Sequence, residues 1–420
     1  MVQLQSVVQA RPLAFRPQPS KPAAPSRRIV EVESLQVIIK TAERCNLACQ
    51  YCYYFFMGDD SFAGRQPIIG REVCERIPAF LLQGVEQLKI RDLSIAFHGG
   101  EPTLQRLRDF DRLCTALRAT LGHKTRLNLG MQTNGIHLPD EWLVCLDKHG
   151  VELSFSIDGP AEYHDRYRTD RKGRGSYQRV ADNIVRANDF FRHRSGWTVG
   201  SISVMNHRFD ARKICHHLRD TFGIRKQSYL LPIRSWQQPF EEGESALAYG
   251  EQLVALFDAF VADQSLQIYW ALEALAFFKE KRVVTQSRQL APDEAYAVCK
   301  ALVVQSNGEL TVDDALISAR DWRNDSQPRS IFYDELADVV NSRQSWQLLE
   351  ASNRLPDACQ SCSVRKLCRG GRPEHRYSAQ RGFNNPSVYC EGLKRYYGHV
   401  IQFLIRNGYP EQNIVEKLGQ

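Results

Sequence analysis

Between residue 31 and about residue 233 the hydrophobic pattern keeps changing period. Short runs rich in β-branched and aromatic residues give way to longer stretches with apolar positions three and four apart. The runs predict strands over 35–40, 93–97, 126–132, 152–157, 199–204 and 228–232, and the stretches between them predict helices over 71–88, 104–121, 141–148, 177–191 and 211–222. Such alternation argues for parallel strands joined by crossover helices. Six βα units are too few for a closed eight-stranded ring, so the expected fold is α/β, a partial (β/α)6 barrel. Chemistry in such barrels belongs at the carboxyl ends of the strands.

Beyond residue 233 the alternation stops. Residues 244–262 and 266–281 read as amphipathic helices that bridge two lobes. Within 301–313, Asn307-Gly308 between alternating apolar runs signals a hairpin. Helical stretches over 342–351 and 391–406 then flank a group of cysteines. The expected division is a flexible, basic, proline-rich tail over 1–30, a barrel over 31–235, bridging helices over 236–298 and a cysteine-bearing C-terminal lobe over 299–420.

Charge changes this picture only after it is located. The net charge of +7 includes Arg11, Arg16, Lys21, Arg27 and Arg28 of the tail, which holds no acidic residue; 50 basic residues against 48 acidic ones remain beyond it. A basic footprint on the folded part is absent, which disfavours nucleic acid as a partner. No apolar run approaches the ~18 residues of a membrane span, so no membrane is expected either. The twelve cysteines sit in a long chain without a signal-like start, which fits a reducing, cytoplasmic setting better than a disulfide framework. Cys74, Cys114, Cys145 and Cys215 fall singly inside helical patterns and read as core.

The remaining cysteines are grouped. In Thr41-Ala-Glu-Arg-Cys45-Asn-Leu-Ala-Cys49-Gln-Tyr51-Cys52-Tyr-Tyr54, just after the first strand, three sulfurs can gather around one inorganic centre. Thiolates select zinc or iron–sulfur clusters, and a cubane held by three cysteines leaves one iron open. After the second strand comes His98-Gly99-Gly100-Glu101-Pro102, where glycines permit close backbone approach and the carboxylate can accept from an ammonium group. Gln132-Thr-Asn-Gly135 and Ser154-Phe-Ser156-Ile-Asp158-Gly-Pro160 end the third and fourth strands, the latter running on to Arg168. Cys359, Cys362, Cys368 and Cys390 supply four thiolates, enough to saturate a second cubane or to hold zinc.

Taken together these motifs resemble the radical S-adenosylmethionine enzymes, and the cysteine-rich C-terminal lobe resembles that of their SPASM subgroup. The resemblance spans residues 35 to 405. It implies a [4Fe–4S] cluster on Cys45, Cys49 and Cys52 that binds S-adenosyl-L-methionine at its open iron. Tyr51, Gly99, Gly100, Glu101, Ser156 and Arg168 are then expected at the cofactor, with Gly99, Gly100 and Glu101 holding its amino group. Cys359, Cys362, Cys368 and Cys390 map onto an auxiliary [4Fe–4S] cluster that accepts an electron. A further auxiliary cluster would need Cys299 and thiolates at 313 and 372, where Asp313 and Arg372 stand, so that cluster is expected to be absent. The run from Cys368 through His375 and Tyr377 to Tyr389-Cys390 is similar to maturases that form cyclophanes by joining an aromatic ring to a β-carbon of a ribosomally made precursor peptide. That similarity implies a peptide partner, an electron donor such as a flavodoxin or ferredoxin, and Asp313 as a candidate base. The rival expectations are an anaerobic sulfatase maturase, which makes formylglycine with the same cofactor, and a zinc-stabilised, non-catalytic peptide-binding scaffold.

Overall fold

The computed structural model describes residues 29–58, 60–279, 301–324 and 327–419. Most of the tail, Cys299 and the far end of the bridging segment lie outside the described residues.

The barrel strands are β1 (Ser34–Ala42), β2 (Asp92–Gly99), β3 (Arg126–Thr133), β4 (Val151–Ser156), β5 (Gly200–Val204) and β6 (Lys226–Leu230), each parallel to the next. Crossover helices α1 (Arg71–Leu88), α2 (Leu107–Leu121), α3 (Asp140–His149), α4 (Tyr177–Arg194) and α5 (Ala211–Phe222) connect them. Strand alternation explains the layering. On β2, Leu93, Ile95 and Phe97 are buried while Asp92, Ser94, Ala96 and His98 are half-buried. The apolar face packs on the helices, with the Phe97 ring 4.8 Å from that of Phe110 on α2. The other face carries the polar residues that matter below.

Two additions lengthen the sheet beyond the six expected strands. A short β7 (Gln267–Ile268) pairs parallel to β6, at the start of the stretch read as a continuous second bridging helix. The helical part is α7 (Tyr269–Phe278), following α6 (Ala246–Ala262). The second addition moves a boundary. The hairpin, β8 (Leu302–Val304) and β9 (Glu309–Val312), does not open the C-terminal lobe; β8 pairs parallel with β1, and β10 (Arg329–Ser330) closes the series. An open barrel leaves β1 with an unpaired edge, and the buried run Leu302-Val303-Val304 covers it. Residues 301–314 therefore reach the same mouth as the cluster loop.

The C-terminal lobe is fastened to the barrel by α8 (Cys390–Arg406), which crosses α6 where Gly250 meets Gly392. A Cβ at Gly392 would lie 2.0 Å from the carbonyl oxygen of Ala246, so both positions must stay bare for the helices to approach. Tyr389 donates to the carbonyl of Pro232 (2.7 Å), Trp236 to that of Pro386 (2.8 Å) and Tyr396 to that of Trp270 (2.7 Å). No described helix is long and apolar enough to cross a membrane.

Candidate active site at the barrel mouth

The cysteine loop is gripped by the end of β2. Gly100 N donates to the carbonyl of Ala42 (2.7 Å) and Glu101 N to that of Arg44 (2.8 Å). Gly99 has a φ of 152°, and a Cβ there would stand 2.2 Å from the Ala42 oxygen; one on Gly100 would stand 2.1 Å from that of Arg44. These glycines thus let the second strand lie directly on the loop that carries Cys45.

The three loop thiols are free, with Cys49 buried and Cys45 and Cys52 half-buried. Burial, and then the Glu101 carboxylate, pushes the Cys45 thiol up to about 12; burial also raises Cys49 and Cys52. Leu47 N (3.4 Å) and Asn134 Nδ2 (3.5 Å) point at Cys45 Sγ. Three thiols on one short loop, with amide donors at a sulfur, suit a cluster with one open iron. In the second set Cys359, Cys362 and Cys390 each act electrostatically on Cys368, whose thiol burial pushes up to about 12. Four thiols suffice for a saturated cubane.

Glu101 is fully buried, and burial raises its pKa against four hydrogen bonds. Its Oε1 accepts from Thr103 N (3.1 Å), Thr103 Oγ1 (2.7 Å) and Thr133 Oγ1 (2.7 Å). Among the described residues Oε2 accepts only from Asn134 N (2.7 Å), which keeps a lone pair for an ammonium donor. Arg168 is 7 % exposed; its Nη1 donates to the Tyr51 hydroxyl (2.7 Å), which donates in turn to Asp158. Its Nε has no partner among the described residues, and its charge acts on Cys49. Ser156 is half-buried and accepts from Gln132 Nε2 (2.7 Å), on the polar face of the strands.

Asp313, expected as a candidate base, lies in a turn. It adopts a φ of 62° directly after β9, and its Oδ1 accepts from Ala315 N (2.8 Å), a turn-forming role. The next residue, Asp314, turns instead to the barrel mouth. Its side chain, 12 % exposed, lies 2.8 Å from the ammonium of the wholly buried Lys40 and accepts from the Tyr53 hydroxyl. Burial works to raise the Asp314 pKa, but the Lys40 ammonium, His98 and these hydrogen bonds outweigh it and hold it below the ordinary carboxylate value. His98 Nδ1 is 3.4 Å from Lys40 Nζ, and burial, then Lys40, lowers its pKa to about 4, so it is neutral near pH 7. Lys40 could have been found as a charged residue following the apolar run Val37-Ile-Ile39; nothing in the sequence distinguishes Asp314 from Asp313. Arg372 stacks 5.4 Å from the Trp270 ring.

Comparison with known proteins matches this arrangement. Residues 39–214 match the Radical SAM superfamily. That superfamily uses a [4Fe–4S] cluster and S-adenosylmethionine. More particularly, the chain is similar to the serine-type anaerobic sulfatase-maturating enzyme of Bacteroides thetaiotaomicron, 23% identical over 384 residues, covering 86% of this chain and 87% of that one. It is also similar to the cysteine-type enzyme of Clostridium perfringens, 23% identical over 376 residues, covering 88% and 97%. Solved structures of native anSMEcpe, with bound AdoMet and with bound AdoMet and Cp18Cys peptide, each share the fold at a TM-score of 0.71 and 21% identity, covering 89% of this chain and 98% of theirs.

Proposed function

We propose that this chain is a radical S-adenosylmethionine enzyme that oxidises a side chain of a peptide substrate at its β-carbon. The observation that carries the reading is the buried Lys40–Asp314 pair beside Tyr53, immediately after the last cysteine of the cluster loop. When bound, a [4Fe–4S] cluster on Cys45, Cys49 and Cys52 with S-adenosylmethionine supplies hydrogen abstraction from unactivated carbon, and one on Cys359, Cys362, Cys368 and Cys390 supplies an electron sink. An electron donor of the flavodoxin or ferredoxin kind would serve the first.

The protein's own residues orient and move protons. Glu101 Oε2 would accept from an ammonium of the bound cofactor, and Arg168, held by the Tyr51 hydroxyl that donates to Asp158, offers a cation beside Cys49. Loss of a second hydrogen from the substrate side chain requires a base. Asp314 is kept ionised by Lys40 and is placed at the mouth, which makes it a better candidate than Asp313. Neutral His98 lies beside the same ammonium.

The relatives favour a formylglycine-forming reaction, on a cysteine or serine of a sulfatase-like peptide. They align along most of the chain, and sulfatase maturation is the activity their names state. A second reading, an aromatic crosslink in a ribosomally made precursor peptide, is favoured by Arg372 and Asp313 at positions where the maturase pattern expects thiolates. Anaerobic incubation with a serine-containing sulfatase peptide and with an aromatic precursor peptide separates them. Both products lose two hydrogens, but only formylglycine carries an aldehyde that a hydrazine traps. Hydrazine-resistant product from the aromatic peptide alone would overturn the maturase reading, and no product from either would overturn peptide oxidation.

A further inference from the structure

The outer helical layer carries metal-ligating side chains that the barrel chemistry does not use. Cys145 and His149 lie four residues apart on α3, on one face and a turn from each other. Asp111 reaches both from α2. His149 Nε2 is 2.7 Å and Cys145 Sγ 3.7 Å from the same carboxylate oxygen, Oδ1, and the three ligand atoms all lie within 4.8 Å of one another. Cys145 is 6 % and His149 7 % exposed, so neither donor is a mobile surface group.

We propose that Asp111, Cys145 and His149 form a zinc site that ties α2 to α3, with water as the fourth ligand on the side where Asp111 meets solvent. Tetrahedral zinc with bonds of about 2.0–2.3 Å holds its ligand atoms roughly 3.4–3.6 Å apart. The sulfur–carboxylate spacing of 3.7 Å is within about 0.3 Å of that requirement, and the histidine–carboxylate contact of 2.7 Å needs to open by ~0.7 Å. A thiolate, an imidazole and a carboxylate suit zinc and exclude magnesium or calcium, which prefer all-oxygen shells. The hydrogen bond between His149 Nε2 and Asp111 Oδ1 gives up its proton when both atoms turn to the metal. The Cys145 thiol, pushed up to about 11 by burial and then by Asp111, gives up a proton on binding, which moderates the affinity. One cation competes: Lys148 Nζ lies 2.7 Å from Asp111 Oδ1, but its side chain is 56 % exposed and can swing into water.

The test uses full-length protein with its iron–sulfur clusters reconstituted, dialysed against zinc, with bound zinc and iron measured together. The expected result is one zinc per chain beyond the clusters, lost in Cys145→Ser and in His149→Gln with iron unchanged. Lys148→Ala, a surface change that spares the fold, should tighten zinc binding several-fold by removing the competitor. Zinc uptake equal in the parent protein and Cys145→Ser, or an affinity untouched by Lys148→Ala, would overturn the proposal.

Discussion

The ammonium of Lys40 on β1 lies 2.8 Å from the carboxylate of Asp314, 274 residues further along the chain. With Lys40 wholly buried and Asp314 at 12 % exposure, neither charge has enough water to stand alone. The pair joins the first strand to the segment that follows the β8–β9 hairpin, and so it fixes the mouth as well as its charge.

Breaking that pair from one side should be costly. Lys40→Met leaves an unpaired carboxylate and is expected to lose about 3–5 kcal/mol of stability. The double variant Lys40→Met/Asp314→Asn should lose clearly less than the single one. Denaturant unfolding of the four proteins in the cycle checks this; additive losses would show that the two charges do not interact.

Asp314 and Asp313 can be told apart by turnover. Asp314→Asn is expected to reduce product formation by roughly 10²–10⁴-fold, the usual contribution of a general base, while 5′-deoxyadenosine is still released. Asp313→Asn should stay within a few-fold of the parent, because its carboxylate serves a turn. Equal losses in both would remove the distinction.

Glu101→Gln keeps the size of the side chain and loses the charge offered to an ammonium. A charge-assisted hydrogen bond contributes about 1.5–3 kcal/mol, so S-adenosylmethionine should bind roughly tenfold to a hundredfold more weakly. Iron content should be unchanged. Equilibrium dialysis with labelled cofactor measures the first and iron analysis of the same samples the second.

His375 gives the fold an acid-sensitive point. It is 4 % exposed, and burial lowers its pKa from the ordinary 6.5 to about 4, with Glu374 opposing the shift and Arg372 adding to it. A depressed histidine is neutral in the fold while the unfolded chain takes up a proton first. Its contribution is therefore whole above pH 6.5 and is lost as pH falls from 6.5 to about 4. Stability measured across that window should fall less steeply in His375→Gln than in the parent protein.

Much of the barrel was legible because its cues are local. Residues 71–88 and 211–222 carry a clean helical period, and the structure gives α1 and α5 those same bounds. Cys45, Cys49 and Cys52 could be singled out as candidate ligands for the same reason, since they are neighbours in sequence. The pairing of Leu302-Val303-Val304 with β1 was not legible, since a three-residue apolar run states that it is buried but not against what. Asp314 was missed because a side chain's direction after a strand depends on one backbone angle, the positive φ of Asp313, which sequence does not mark on a non-glycine residue.

On the proposed reading the loop thiols serve radical S-adenosylmethionine chemistry. It is tested most directly by 5′-deoxyadenosine formation in the anaerobically reconstituted protein, given S-adenosylmethionine and a low-potential reductant. The account expects steady release from the parent protein and none above background when Cys45, Cys49 and Cys52 are all changed to alanine. A parent protein that carries its clusters and yet yields no 5′-deoxyadenosine, or a triple variant that yields as much, would contradict it.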